Sequence, residues 1–165
     1  MKKDYIRKVV IGRAELLHFT EFSIADVPAK VDTGAYRSSV HADNIALNDD
    51  GTELTFRLLG HHPLFKTVAE TVTTRNFERV WVTNSFGHRE ERFEVKLKVK
   101  IGPKVFWGKF TLANRSKMLY PILLGRTLLN KRFLVDPSLQ GVNRLELKKQ
   151  YGIVLPIDEE EEYKT

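Results

Sequence analysis

Cysteine is absent from all 165 residues. That excludes a disulfide framework, a Cys-ligated zinc or iron–sulfur site and a thiol nucleophile. No apolar run approaches the ~20 residues a helix needs to span a bilayer, so no membrane partner is expected. The opening stretch from Met1 to Val10 carries basic side chains but no apolar core with a small-residue cleavage site. No secretory leader is expected, and the protein is read as cytoplasmic. There is no Gly-x-x-x-x-Gly-Lys-Ser/Thr loop to cradle a nucleotide phosphate. There is no His-Glu-x-x-His helix to hold zinc either. No cofactor is expected. The five histidines, His18, His41, His61, His62 and His88, are scattered without ligand spacing. They are read as surface or hydrogen-bonded core residues, and for His41 a structural hydrogen bond is favoured over catalysis.

Hydrophobic residues make up 42% and charged residues 29%, a mix that suits a globular chain rather than a disordered one. The net charge is +6, but it is unevenly spread. The run from Asp158 to Thr165 holds five acids and one lysine, which leaves 26 basic and 16 acidic residues in 1–157, a charge of +10. Residues 1–157 are read as one domain and 158–165 as an acidic, disordered tail. The tail is read first as a solvating segment, with docking into a basic cleft as the less favoured alternative. A body this basic should attract an acidic partner.

The pattern is mostly strand. Phe93, Val95, Leu97, Val99 and Ile101 alternate with Glu94, Lys96, Lys98 and Lys100, the period-2 signature of a half-buried strand. Residues 79–83 and 105–112 flank it through Asn84-Ser85-Phe86-Gly87 and Gly102-Pro103, giving a three-strand meander. Residues 8–17, 22–31, 54–58 and 68–74 also read as strands, with Asn48-Asp49-Asp50-Gly51 as a strong turn. Pro28 is expected at an edge or bulge. The single helix candidate is short, about Arg126–Lys131. Trp81 and Trp107 are expected to pack in or beside the core. The fold class is therefore all-β, a barrel or sandwich with one short helix.

Two stretches carry chemistry. Ala29-Lys30-Val31 is an apolar-flanked strand that runs into Asp32-Thr33-Gly34-Ala35. This delivers a carboxylate at a strand end, in a tight turn where glycine permits close approach. About ninety residues later comes Ile122-Leu123-Leu124-Gly125-Arg126-Thr127-Leu128-Leu129, a strand, Gly-Arg and a helical turn.

Together these resemble the retropepsin-like aspartic proteases. The match extends to one bacterial family, labelled ATP-dependent zinc protease and associated with RimK-type glutamate ligases. Further matching features are Gly12-Arg13-x-Glu15, Ser38-Ser39-x-His41-Ala42, Ser85-Phe86-Gly87-His88-x-Glu90-x-Arg92, Asn114-Arg115-x-x-Met118 and Val135-Asp136-Pro137-Ser138. The resemblance covers roughly residues 9–140. It implies a closed or partly open β-barrel in which the two signature strands cross beneath the catalytic turn. It implies Asp32, Thr33 and Gly34 as the catalytic motif and Gly125 and Arg126 as structural residues at the active site.

Aspartic proteolysis needs two carboxylates, one ionised and one protonated. This chain has one Asp-Thr-Gly, so a C2 homodimer is expected, with both Asp32 side chains at the axis. Retroviral enzymes carry an acid where Tyr36 stands here, and it pairs with the Gly-Arg arginine. Arg126 must find another partner, with Asp43 and Asp136 as candidates. A flap is expected at the hairpin Val80–Arg92, with the loop Gly60–Pro63 as the alternative. The glutamate-ligase association implies an acidic or poly-glutamate-tailed protein substrate, such as a ribosomal protein. Lys30, Ala35, Arg37, Arg75, Arg89 and Arg92 are the substrate-binding candidates. Competing readings are a basic nucleic-acid or ribosome-binding module, less favoured for want of an RNA motif, and a catalytically silent dimeric scaffold.

Overall fold

The computed structural model describes residues 7–66, 69–84 and 86–153. The acidic tail therefore lies outside the described residues. In chain order the elements begin with β1 (Val9–Ile11), β2 (Ala14–Phe19), β3 (Ile24–Val31), β4 (Ser38–Leu47), β5 (Leu54–Leu58) and β6 (Glu70–Thr74). They continue with β7 (Phe77–Thr83), β8 (Arg89–Ile101), β9 (Lys104–Ala113), β10 (Ile122–Leu124), α1 (Arg126–Leu129), β11 (Phe133–Val135) and α2 (Arg144–Tyr151).

The alternating stretch forms the long strand β8. Val95, Leu97, Val99 and Ile101 are buried, while Lys96 and Lys100 are exposed. β8 pairs antiparallel with β7 on one side and β9 on the other, so the expected meander forms. Gly102 takes φ +55 at the two-residue turn between Ile101 and Lys104, the positive-φ geometry that tight hairpins favour. β2 also pairs with β8, and β3 pairs with β2. At Pro28 the strand β3 has a neighbour on one side alone, because β10 joins it from Ala29 onward. The ring lacks no bond there that proline's missing N–H would have supplied.

Closure depends on β10. This short strand pairs parallel with β3 and antiparallel with β4, while β4 pairs parallel with β9. The hydrogen-bonded order β10-β3-β2-β8-β9-β4 thus returns to β10, and the barrel is closed. β5 and β6 extend outward from β4. Leu17, Val27, Val99, Phe110, Ile122 and Leu124 fill the interior and are almost wholly inaccessible. A separate parallel pair, β1 with β11, sits beside the barrel with Val10 opposite Leu134, both about half exposed at 53% and 52%.

Two features differ from the sequence expectation. A second helix, α2, follows the barrel; Asn143 caps it by accepting from the Glu146 N–H at 3.1 Å, and Gly152 ends it at φ +99. Leu147 is its one buried residue, so its apolar stripe is too thin to register as helical periodicity. Trp81 and Trp107 are not core residues but are 59% and 51% exposed. Each sits on the outward phase of its strand, a choice that alternation alone leaves open. Among the described residues no helix is long and apolar enough to cross a membrane.

Candidate active site

Strand β3 ends at Val31 and delivers Asp32 into the turn. The Asp32 N–H donates to the Leu124 carbonyl at 2.9 Å, which ties the carboxylate-bearing residue to β10. The Gly34 N–H donates to Asp32 Oδ1 at 3.0 Å, and the Ala35 N–H to the Asp32 carbonyl at 3.2 Å. The carboxylate is thus oriented by its own loop and stays half-buried.

The Gly125-Arg126 motif supports this turn from across the barrel. The buried Gly125 N–H donates to Ser38 Oγ at 2.9 Å. A Cβ at position 125 would stand 2.5 Å from the Arg37 carbonyl oxygen, so only glycine permits the approach. The Arg126 N–H donates to the Ala35 carbonyl at 2.8 Å and the Thr127 N–H to the Tyr36 carbonyl at 3.0 Å. The Arg126 side chain then reaches back. Its Nη1 donates to the carbonyls of Thr33 at 3.1 Å and Gly34 at 2.8 Å. The guanidinium also lies over the Tyr36 ring, 5.8 Å from its centroid.

Neither candidate acid partners Arg126. Asp43 accepts two bonds from Arg57, at 2.9 and 2.8 Å, and meets His61 at 2.6 Å. These partners, Arg57 foremost, hold its carboxyl down at about 2. Asp136 accepts from the Ser138 N–H and hydroxyl. Backbone carbonyls replace the acid that Tyr36 displaced, since a guanidinium needs acceptors of any kind in its plane.

A cleft of about 600 Å³ opens beside Gly34 and Ala35. Four arginines line it, Arg37, Arg92, Arg115 and Arg126, and no carboxylate does among the described residues. The β7–β8 hairpin supplies its far wall through Trp81, Val82, Thr83 and Asn84. This is the first of the two flap candidates. The alternative loop is built into the protein instead. His41 bonds the Gly60 carbonyl at 2.7 Å, and His62 is fully buried with its ring 5.3 Å from that of His41.

The substrate-binding candidates separate into groups. Ala35, Arg37 and Arg92 line the cleft. Arg37 is already paired with the buried Glu94 at 2.7 Å, and Arg92 contacts the exposed Glu90. Lys30, Arg75 and Arg89 stand outside the cleft lining. Arg75 pairs with Glu53 at 3.3 Å, and Arg89 lies over Trp81 at 5.3 Å.

Arg115 belongs to the matching feature Asn114-Arg115-x-x-Met118 but is not among the substrate-binding candidates. It follows β9 in a polar run that reads as an ordinary loop. Its Nε donates to the Tyr120 carbonyl at 3.0 Å and its Nη1 to Ser39 Oγ at 3.2 Å. Burial lowers the guanidinium to about 10, the Arg92 charge adds to that, and the Asp32 charge opposes it.

Histidines do not assemble a zinc site. The Arg115 N–H donates to His41 Nδ1 at 2.8 Å, so both ring nitrogens of His41 are engaged. Those of His62 meet the Met118 carbonyl at 3.0 Å and the Leu64 N–H at 3.3 Å. Among the described residues no three His, Asp or Glu side chains converge. The residues therefore do not fit the metal in the family label.

Comparison with known proteins agrees with this geometry. The family described as "Retropepsin-like aspartic endopeptidase RimB" matches residues 10–146. A "Probable alpha-L-glutamate ligase" of Desulfotalea psychrophila is 37% identical over 92% of this chain and 33% of its own length. One of Shewanella halifaxensis is 30% identical over 88% of this chain and 33% of its own length. The chain thus spans about a third of the length of the curated relatives it matches. The crystal structure of Lpg0085 of Legionella pneumophila, a protein of unknown function, superposes with a TM-score of 0.62 at 31% identity. That alignment covers 81% of this chain and 97% of the other. On the crossed strands, the Asp-Thr-Gly turn and the extent of the family match, the chain belongs to the RimB-like family of retropepsin-like aspartic endopeptidases.

Proposed function

We propose that the protein is an aspartic endopeptidase that cuts acidic or poly-glutamate-tailed protein substrates. The observation that carries this reading is the Asp32 turn, held by Leu124 and Arg126 at the mouth of an arginine-lined cleft. Asp32 of one protomer, ionised, takes a proton from water as the oxygen attacks the scissile carbonyl. Asp32 of the partner subunit, protonated, donates to the carbonyl oxygen. Like charges ~3 Å apart cannot both ionise, so the pair shares one proton. Collapse of the tetrahedral diol expels the amine, which takes its proton from the dyad.

One carboxylate per chain requires a second copy. Thr33 is exposed beside a groove of about 740 Å³ that runs past Tyr36, Arg126 and Leu129 to Phe133. The neighbouring β1–β11 pair exposes Val10 and Leu134. A C2 homodimer built across this face brings the two Asp32 turns together, with Thr33 of each chain buttressing the other. Two features support the substrate class. Four arginines and, among the described residues, no carboxylate line the cleft, and the curated relatives join a matching segment to a longer chain named as a glutamate ligase.

The test is incubation with a poly-glutamylated protein, such as a ribosomal protein with a glutamate tail. Products are read by mass spectrometry beside Asp32→Ala and Asp32→Asn. Cleavage by the parent and none by either variant supports the reading. Persistent cleavage by Asp32→Asn, or full activity in a sample that sediments strictly as monomer, rejects it.

A further inference from the structure

We propose that Arg115, with Arg92, forms the carboxylate-recognition subsite that seats an acidic side chain of the substrate beside the Asp32 turn. The inference deepens the peptidase reading and rests on it for the location of the scissile bond.

The four cleft arginines are not equivalent. Arg126 is committed to the Thr33 and Gly34 carbonyls. Arg37 is neutralised by Glu94, an acid only 5% exposed. Arg92 shares Glu90, whose side chain is 59% exposed and open to water, where an ion pair is weak. Arg115 is partly buried and has no carboxylate partner among the described residues. A cation withdrawn from water without a counter-charge is costly, and two such cations in one cleft repel.

The donors of Arg115 show where that deficit points. Nε and Nη1 are fixed by Tyr120 and Ser39, and the backbone N–H by His41. These contacts lock the guanidinium plane. Among the described residues Nη2 has no protein acceptor, yet the one buried unpartnered side-chain atom among them is Arg144 Nε. Nη2 therefore opens to the cleft that Arg115 and Arg92 line together. A pre-oriented guanidinium with free donors, facing a second cation, is matched by a carboxylate that bridges both. Gly34 and Ala35 of the Asp32 turn line the same cleft, so an acid bound there lies beside that turn.

Binding is tested on the full chain carrying Asp32→Asn, so that the probe is not consumed. The probes are a short poly-glutamate peptide and its all-glutamine counterpart, titrated at one fixed ionic strength. Arg115→Gln should weaken poly-glutamate binding about 10- to 100-fold and change glutamine-peptide binding little. Arg115→Lys should recover part of the loss, because it restores charge without the fixed fork. Lys109→Gln removes the same charge from an exposed position of β9 and should shift affinity less than about twofold. Should Arg115→Gln not fold, Arg92→Gln carries the test with the same glutamate-selective loss.

Equal affinity of parent and Arg115→Gln for poly-glutamate overturns the subsite, as does an equal loss for both peptides. A parent that binds no poly-glutamate overturns it too. Arginine-dependent binding by a wild type that cleaves nothing removes the peptidase reading and keeps the subsite. Cleavage with a glutamate preference indifferent to both arginines does the reverse.

Discussion

Arg126 Nη1 donates to two consecutive carbonyls, those of Thr33 and Gly34, across 93 and 92 residues of sequence. The Asp32 turn is therefore held from across the barrel through its backbone carbonyls, while the Asp32 carboxylate bonds within its own loop to the Gly34 N–H. Arg126→Lys should lower kcat at least tenfold, because an ammonium cannot span both acceptors in one plane. The loss in stability should be about 1–2 kcal/mol, since two hydrogen bonds to a charged but exposed group are removed. Parallel measurements of kcat and urea unfolding separate the two effects.

The Ser38 hydroxyl accepts from the buried Gly125 N–H. Ser38→Ala leaves that donor without a partner and should cost about 1–3 kcal/mol. Gly125→Ala forces backbone apart and should cost a similar ~1–3 kcal/mol while displacing Arg126. Its activity loss should therefore exceed that of Ser38→Ala at equal folded fraction. Denaturant titration with activity assays at low temperature checks the order.

Buried histidines set the acid side of the stability profile. Burial lowers His62 from 6.5 to about 4 and lowers His41 in the same direction. Below pH 6.5 the unfolded chain takes protons that the folded chain refuses, so stability falls as pH drops toward 4. For His62 the loss is on the order of 3 kcal/mol. Asp43 works in the next window down. Its carboxyl is held at about 2, so the stability it contributes above its ordinary 3.8 is lost as pH falls through 2. Urea midpoints should decline for the parent as the pH is lowered from 7 to 4, and His62→Gln should flatten the curve.

Glu94 is buried on β8 and, among the described residues, its one paired cation is Arg37. Glu94→Gln should release Arg37 into the cleft at a cost of about 1–3 kcal/mol, because one half of a partly buried pair is lost. The freed cation should tighten binding of the poly-glutamate peptide. Thermal unfolding and peptide titration of the same variant read both effects.

How much of this was legible depends on whether the cause is local. The alternation of Phe93 to Ile101, the turn at Asn48 to Gly51 and the strand before Asp32 are local, and each formed where the pattern places it. The Gly125-Arg126 turn and its short helix are local too. The partner of Arg126 is not, for a backbone carbonyl has no signature in sequence. Asn114-Arg115-x-x-Met118 is part of the family resemblance, but what Arg115 touches is hidden for a related reason. Asn114-Arg115-Ser116-Lys117 reads as a polar loop until barrel closure brings Arg115 against Ser39, 76 residues away. Trp81 and Val80 are adjacent on β7, and alternation says they face opposite ways without saying which is inside. Helix α2 did carry a signal, the Asn143-x-x-Glu146 box with Gly152 beyond, which a search by apolar period passes over.

The three residues of β10 also set an order of events in synthesis. Asp32 emerges well before those residues, but the carbonyl that fixes it belongs to Leu124 and the guanidinium that braces its turn to Arg126. Contacts of such long separation form late, after the intervening chain has collapsed. A growing chain that has not yet released residues 122–126 therefore holds its aspartate in an unorganised loop. The turn that carries the carboxylate thus comes into register only when residues 122–126 are in place, and a chain cut short of them would hold Asp32 without its brace.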